Sequence, residues 1–320
     1  MVSQTNPELA ARALEGLARY EQEPRSSGRP ERPVIARAGA AKLRDCGGSG
    51  AAVVLVPSLI NPPHVLDLDE QVSLAGAIAG MGRRALLLDW GPAGERAQLD
   101  LRGHIEDLLV PLLRSLGEPA ALAGYCLGGT MAIAAANLMP VERVATLAAP
   151  WFFSAYPAQS RASLRQLWDS AGPAARPLGA LPMEVLQSAF WSLDPGRTVS
   201  KFADFADLEP DSAKARRFVA IEDWANEGEP LPLPAARELI EDLFGADLPG
   251  TGDWRVSGRV ITPDLDCPLL NVTAASDRIT PAATAPPGNK VQIAAGHVGM
   301  VVGSARTKLH EELQAFFAGA

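Results

Sequence analysis

The hexapeptide GYCLGG, residues 124–129, lies between the apolar run AALA and the helix-forming run TMAIAAANLM. A short buried strand enters it and paired glycines lead out of it, so the cysteine sits at a tight strand-to-helix corner. Such a corner is strained, and the residues two before and two after its apex must be nearly free of side chain. Gly124 and Gly128 meet that need, and Gly129 lets the helix lie close to the sheet. The helix N-terminus then directs unpaired N–H groups and the positive end of its dipole at the Cys126 sulfur, which favours a thiolate.

Working outward, the same alternation recurs on both sides. AAVVLVPSLI, RRALLLDW, AALAGYC and VERVATLAAP are short apolar runs of strand length. Between them DEQVSLAGAIAGMG, DLRGHIEDLLVPLLRSLG and TMAIAAANLM carry helical patterns, the second with an expected kink at Pro111. Strands without an alternating polar face belong to a parallel sheet covered by helices on both sides. The rhythm breaks after Pro150. Residues 151–255 are helical in pattern with no convincing strand, and they hold Trp151, Trp168, Trp191, Trp224 and Trp254. PLLNVTAASD and KVQIAAG restore two strands, and SARTKLHEELQAFFA closes with a helix. The expected organisation is an N-terminal helix and linker over 1–50, core over 51–150, a helical cap over 151–255 and core again over 256–320.

Composition narrows the function. The chain has 320 residues, 47% of them hydrophobic, which is enough for one sizeable core with an insertion. A net charge of −8 without a basic stripe argues against general nucleic-acid binding. No run is apolar for long enough to span a bilayer, and the N-terminus lacks an apolar signal core, so a cytoplasmic protein is expected. Three cysteines make no disulfide framework. Cys46 and Cys267 read as packing or loop thiols, and no Cys/His cluster has metal-ligand spacing.

A nucleophile needs a base, and the base needs an orienting acid. His297, in AAGHVGMVV, follows the last expected strand. Asp277, in TAASDRITP, follows the strand before it. Both lie at carboxyl ends of strands, where sites in such sheets assemble; Asp264 and Asp266 are rivals for the acid. His104 within a helix and His310 on the polar side of the last one read as solvated or second-layer groups, and His64 in NPPHVLDL as a weaker pocket candidate. One oxyanion donor is the backbone N–H of Leu127, and the second comes from PSLIN, with Leu59 and Ile60 as candidates. Arg83, Arg84, Arg216 and Arg217 are weak candidates for contacts to a nucleotide.

With these residues in place the chain resembles the polyhydroxyalkanoate synthases, cysteine-dependent polymerases of the α/β-hydrolase fold. The resemblance rests on GYCLGGT, PSLINPPHVLDL, LLLDWGPAG, FVAIEDWANEG, SDRITP and GHVGMVVGS, and covers roughly residues 50–318. Dienelactone hydrolases carry nearly the same hexapeptide but have no long helical cap between cysteine and aspartate. The resemblance implies Cys126 as acyl carrier, His297 as general base, and Asp277 as its partner or as activator of an incoming hydroxyl. It implies a hydroxyacyl-CoA thioester as substrate, with no bound cofactor, and a growing polyester as product. The short N-terminal region resembles the class III catalytic subunit, which implies a second, non-catalytic subunit and a homodimer as partners, and a place at the polymer-granule surface. Two alternatives stay open. One is a cysteine hydrolase on the same scaffold: a thioesterase, depolymerase or lactone hydrolase. The other is a binding subunit that coats granules.

Overall fold

Branched apolar residues in runs of four to seven set the sheet, and glycine-closed helices return the chain between strands. The computed structural model describes residues 6–25 and 31–319; what the sequence suggested for residues 1–5 and 26–30 lies outside these. In chain order, α1 (Pro7–Gln22) precedes a hairpin of β1 (Val34–Ala38) and β2 (Ala41–Gly47). Then come β3 (Ala52–Val56), α2 (Leu74–Gly80) and β4 (Arg84–Asp89). A broken helix follows: α3 (Leu101–Gly103), a π-helical turn (His104–Leu109) and α4 (Val110–Arg114). Next are β5 (Ala121–Tyr125), α5 (Leu127–Leu138) and β6 (Val144–Leu147).

The cap holds α6 (Ala158–Leu178), β7 (Ala180–Leu181), α7 (Met183–Leu193), α8 (Pro195–Ala206) and α9 (Ala213–Asn226). It continues through β8 (Leu231–Pro232), α10 (Leu233–Arg237), a π-helical stretch (Glu238–Gly245) and α11 (Leu248–Thr251). A two-residue hairpin of β9 (Arg255–Val256) and β10 (Arg259–Val260) leads back to β11 (Leu269–Ala274), β12 (Asn289–Ile293), α12 (Gly299–Val302) and α13 (Arg306–Ala318).

Eight strands form the main sheet in the order β1-β2-β4-β3-β5-β6-β11-β12. The six from β4 to β12 pair in parallel, whereas β1 and β2 pair antiparallel to each other and β2 to β4. Two apolar layers cover its faces, one centred on Leu86, Ile105, Met131 and Trp254, the other on Leu55, Ile78, Val272 and Leu309.

Three expectations need correction. The boundary at Ala51 cuts the sheet, because residues read as linker form the β1–β2 hairpin. VIARA alternates in exposure around one charge, and AKLRDCG sets Lys42, Arg44 and Asp45 among buried Ala41, Leu43 and Cys46, so neither strand of this hairpin makes a continuous apolar run. The cap contains short β pairs, β7 with β8, that no apolar run announces. The helix break precedes Pro111 rather than centring on it: the π-turn ends at Leu109 and Pro111 opens α4, where its missing N–H costs nothing.

The tryptophans divide. Trp151 and Trp254 are buried edge to face at 6.4 Å, Trp224 is buried, and Trp191 is 51% exposed. The N-terminal helix belongs with the cap, since Gly16 of α1 lies so close to Phe202 that a Cβ would meet its carbonyl oxygen at 1.8 Å.

Candidate active site

Cys126 occupies the corner between β5 and α5 with φ 55° and ψ −131°. A non-glycine residue holds such a conformation only when its surroundings over-determine it. They do. A Cβ on Gly124 would meet Gly129 Cα at 2.4 Å, and one on Gly128 would meet the Val56 carbonyl oxygen at 2.1 Å. The glycines therefore let α5 start directly against the end of β3, and Cys126 is left half-buried at the carboxyl edge of the sheet.

His297 and Asp277 reach the same edge from the loops after β12 and β11. The His297 Nδ1–H donates to Asp277 Oδ2 at 2.7 Å. The other carboxylate oxygen accepts the N–H groups of Ile279 and Thr280 at 2.8 and 2.7 Å, so Asp277 is fixed by its own loop. Both side chains are buried. Asp264 and Asp266 are exposed and elsewhere. Cys126 lies within hydrogen-bonding reach of the His297 ring.

Burial would lower the His297 pKa. The charge on Cys126, hydrogen bonds to Asp277 and Cys126, and the Asp277 charge outweigh burial and push it up to about 10. Tyr125, inside the hexapeptide, covers the imidazole with ring centroids 5.0 Å apart and donates its hydroxyl to the His297 carbonyl at 3.3 Å. Sequence reasoning passed over it, although its place beside the cysteine was a signal.

Leu127 opens α5, so its N–H is one of the helix's unpaired donors. Opposite, Leu59 is buried and Ile60 half-buried in the loop after β3. The Ile60 N–H faces Ser58 Oγ at 3.4 Å, and its carbonyl accepts the N–H of Glu229 at 3.2 Å. A whole cap segment is joined to this loop. Trp224 Nε1–H donates to the Pro62 carbonyl at 2.8 Å, and Asn61 Nδ2 donates to the Ala225 carbonyl at 3.3 Å. The Glu229 carboxylate accepts the Ala93 N–H and faces buried Arg96 at 3.6 Å.

The remaining candidates lie apart. His64 is partly exposed and faces Glu227 at 3.8 Å. His104 is wholly buried rather than solvated: its Nδ1–H donates to the Asp100 carbonyl at 2.6 Å, and its Nε2 accepts from Arg96 at 3.1 Å. His310 is half-buried in α13. Cys46 is buried, and burial followed by the Asp266 charge pushes the Cys267 thiol up. Arg83 and Arg84 are engaged by Glu142 and Asp45, and Arg216 by the Asp211 carbonyl. Among the described residues no group of three His, Cys, Asp or Glu is placed to hold a metal ion, and no helix is long and apolar enough to cross a membrane.

No protein-family model matches the chain. It is 24% identical over 279 residues to the poly(3-hydroxyalkanoate) polymerase subunit PhaC of Haloferax mediterranei, covering 79% of this chain and 55% of that one. It is 25% identical over 272 residues to PhaC of Allochromatium vinosum, covering 78% of this chain and 75% of that one. The chain thus spans little more than half the length of the haloarchaeal relative. Among solved structures, epoxide hydrolase A of Mycobacterium thermoresistibile superposes with TM-score 0.56 at 19% identity, over 91% of this chain and 99% of that one. A bromoperoxidase of Bacillus anthracis gives 0.52 at 17%, over 88% and 99%. These likenesses speak for the fold alone. The chain is an α/β-hydrolase-fold protein similar in sequence to the poly(3-hydroxyalkanoate) polymerase subunits.

Proposed function

We propose that the protein is an acyltransferase that builds polyester from 3-hydroxyacyl-CoA, with Cys126, His297 and Asp277 as its catalytic residues. The observation that carries this is a cysteine at a strained corner, within reach of a buried histidine whose other nitrogen is held by a carboxylate. In the first half-reaction the Cys126 sulfur attacks the thioester carbonyl, and the oxyanion turns toward the N–H of Leu127 and the Ile60 loop. The tetrahedral intermediate expels the CoA sulfur, which takes the proton from His297. One thioester is exchanged for another, nearly without change in free energy; a serine ester would be harder to pass on.

The charge balance then changes. The Cys126 charge is the chief influence raising the His297 pKa, and acylation removes it. The imidazole becomes a base when the acyl-enzyme forms. It takes the proton of a 3-hydroxyl, whose oxygen attacks the acyl-Cys126 carbonyl. An ester forms, the carbon–sulfur bond breaks, and the thiol returns. A site closed by the cap favours a hydroxyacyl group over water as the acceptor.

The test is incubation of the purified protein with 3-hydroxybutyryl-CoA, following free CoA and turbidity, alone and with a non-catalytic synthase subunit. CoA release with polymer supports the proposal. CoA release with free 3-hydroxybutyrate and no polymer makes the protein a thioesterase, and no acylation of Cys126 under either condition refutes both.

A further inference from the structure

One buried polar group beside the catalytic residues has no role in the steps above. Thr280 is 3% exposed and its Oγ1 is sealed from solvent; it makes no well-formed hydrogen bond, and the Tyr156 hydroxyl is its polar neighbour. Native proteins leave few buried hydroxyls unpartnered, because stripping one of water without replacement is costly. Its position places it at the catalytic residues: the Thr280 N–H donates to Asp277 Oδ1 at 2.7 Å, on the carboxylate that holds His297.

Across from it stands Tyr156, 8% exposed, with its ring stacked on Phe153 at 6.0 Å and against Phe244 at 4.8 Å. The segment leading to Tyr156 is anchored on the Thr280 loop, since the N–H groups of Trp151 and Phe152 both donate to the Thr284 carbonyl, at 2.7 and 2.9 Å. Thr284 Oγ1 already donates to Pro281 at 2.7 Å. The Tyr156 hydroxyl faces Thr280 and Thr284. It is near enough to Cys126 and Asp277 that burial, then the Cys126 charge, raise its pKa, while the two threonine hydroxyls pull it back. Two hydroxyls, each able to donate and to accept, thus meet in an otherwise aromatic wall near the sulfur.

We propose that the hydroxyls of Tyr156 and Thr280 form a subsite for the 3-hydroxyl of the acyl group on Cys126, and so select hydroxyacyl over plain acyl thioesters. This rests on the acyltransferase reading of the site. An alcohol two carbons from the thioester carbonyl can donate to one of these oxygens and accept from the other. A plain acyl chain leaves these two hydroxyls only each other as partners, and sites built to hydrogen-bond a substrate hydroxyl discriminate strongly against analogues that lack it.

The experiment compares first-turnover CoA release and the mass of the Cys126 adduct with 3-hydroxybutyryl-CoA and with butyryl-CoA. The wild-type protein is expected to favour the hydroxyacyl thioester by about tenfold or more. Thr280→Val and Tyr156→Phe, each nearly isosteric, shrink that ratio toward one, and Thr280→Ser keeps it. A purely structural role would slow both substrates alike and leave the ratio unmoved. Circular dichroism and iodoacetamide labelling of Cys126 report on folding; if Thr280→Val does not fold, Tyr156→Phe decides. Equal acylation by both thioesters in the wild type, or an unchanged ratio in the folded variants, overturns the subsite and leaves the acyltransferase reading standing. Failure of both thioesters to acylate Cys126 overturns the two together.

Discussion

Glu229 donates its backbone N–H to the Ile60 carbonyl at 3.2 Å, so an irregular segment of the cap closes directly on the loop expected to supply an oxyanion donor. Gly228 makes the approach feasible, since a Cβ there would press on Met183 and lie 3.1 Å from the same Ile60 carbonyl oxygen. The cap therefore packs directly on this loop, and its seam holds the Ile60 peptide.

Glu229→Ala removes the acceptor for the Ala93 N–H and leaves the buried Arg96 guanidinium without its nearest carboxylate. Because Glu229 is 47% exposed, the expected loss of stability is modest, about 1–2 kcal/mol as read from urea unfolding. The rate of CoA release should fall by more than the affinity for thioester, since the loop rather than the entry path is disturbed. Unchanged stability and rate together would show that the seam positions nothing.

The conformation of Cys126 gives a prediction in the opposite direction. At φ 55° and ψ −131° any side chain is strained, at roughly 1–3 kcal/mol, whereas glycine is at ease. Cys126→Gly should abolish acyl transfer and raise stability by about 1 kcal/mol once the flexibility glycine adds to the unfolded chain is subtracted. Cys126→Ala keeps the strain and should gain nothing. Melting temperatures of the two variants decide it: a glycine variant no more stable than the alanine one would place the strain elsewhere.

How much of this was legible beforehand follows from the range of each signal. Cys126 with its glycines, Asp277 and His297 stand in short stretches whose chemistry is local: a steric pattern, and loops at strand ends. The central parallel sheet was legible because its strands are continuously apolar. The β1–β2 hairpin was not, since short strands with charges among their apolar residues read like a surface tract. Tyr156, Thr280 and Glu229 were illegible for another reason. Tyr156 and Glu229 acquire their places from partners far away in the chain, Thr284 for the segment before Tyr156 and Ile60 for Glu229, and Thr280 gains its setting only when Tyr156 is brought against it. His104 misled for a different reason: its partners are near in sequence, but a helix pattern does not show that Arg96 and the Asp100 carbonyl satisfy both ring nitrogens inside the core.

That buried histidine should govern acid stability. Burial, opposed by the bond to Asp100 and aided by the Arg96 charge, pushes its pKa down from 6.5 to about 4. Below 6.5 the unfolded chain takes up a proton that the folded one refuses, so stability present above that pH is lost as pH falls through 4. The loss approaches about 3 kcal/mol. In urea titrations between these pH values, the wild-type protein should lose that much relative to His104→Gln, which cannot titrate. Parallel curves would mean that His104 is not held neutral.

His297 offers the complementary case and a direct test of the mechanism. Its folded pKa, about 10, lies above the ordinary 6.5, so its contribution to stability is complete below 6.5 and is lost as pH rises through 10. After burial, which works the other way, the largest influence on it is the charge on Cys126. Capping that sulfur with iodoacetamide removes the charge and leaves the Asp277 bond in place. Imidazole resonances followed by NMR should then show the His297 titration moving well below 10, into the range where a base works near neutral pH. Asp277→Asn should also lower it, through loss of a charge and a change in the hydrogen bond. If the titration stays near 10 after alkylation, His297 remains protonated in the acyl-enzyme and cannot take the proton of the incoming hydroxyl. That role would then pass to another group in the pocket.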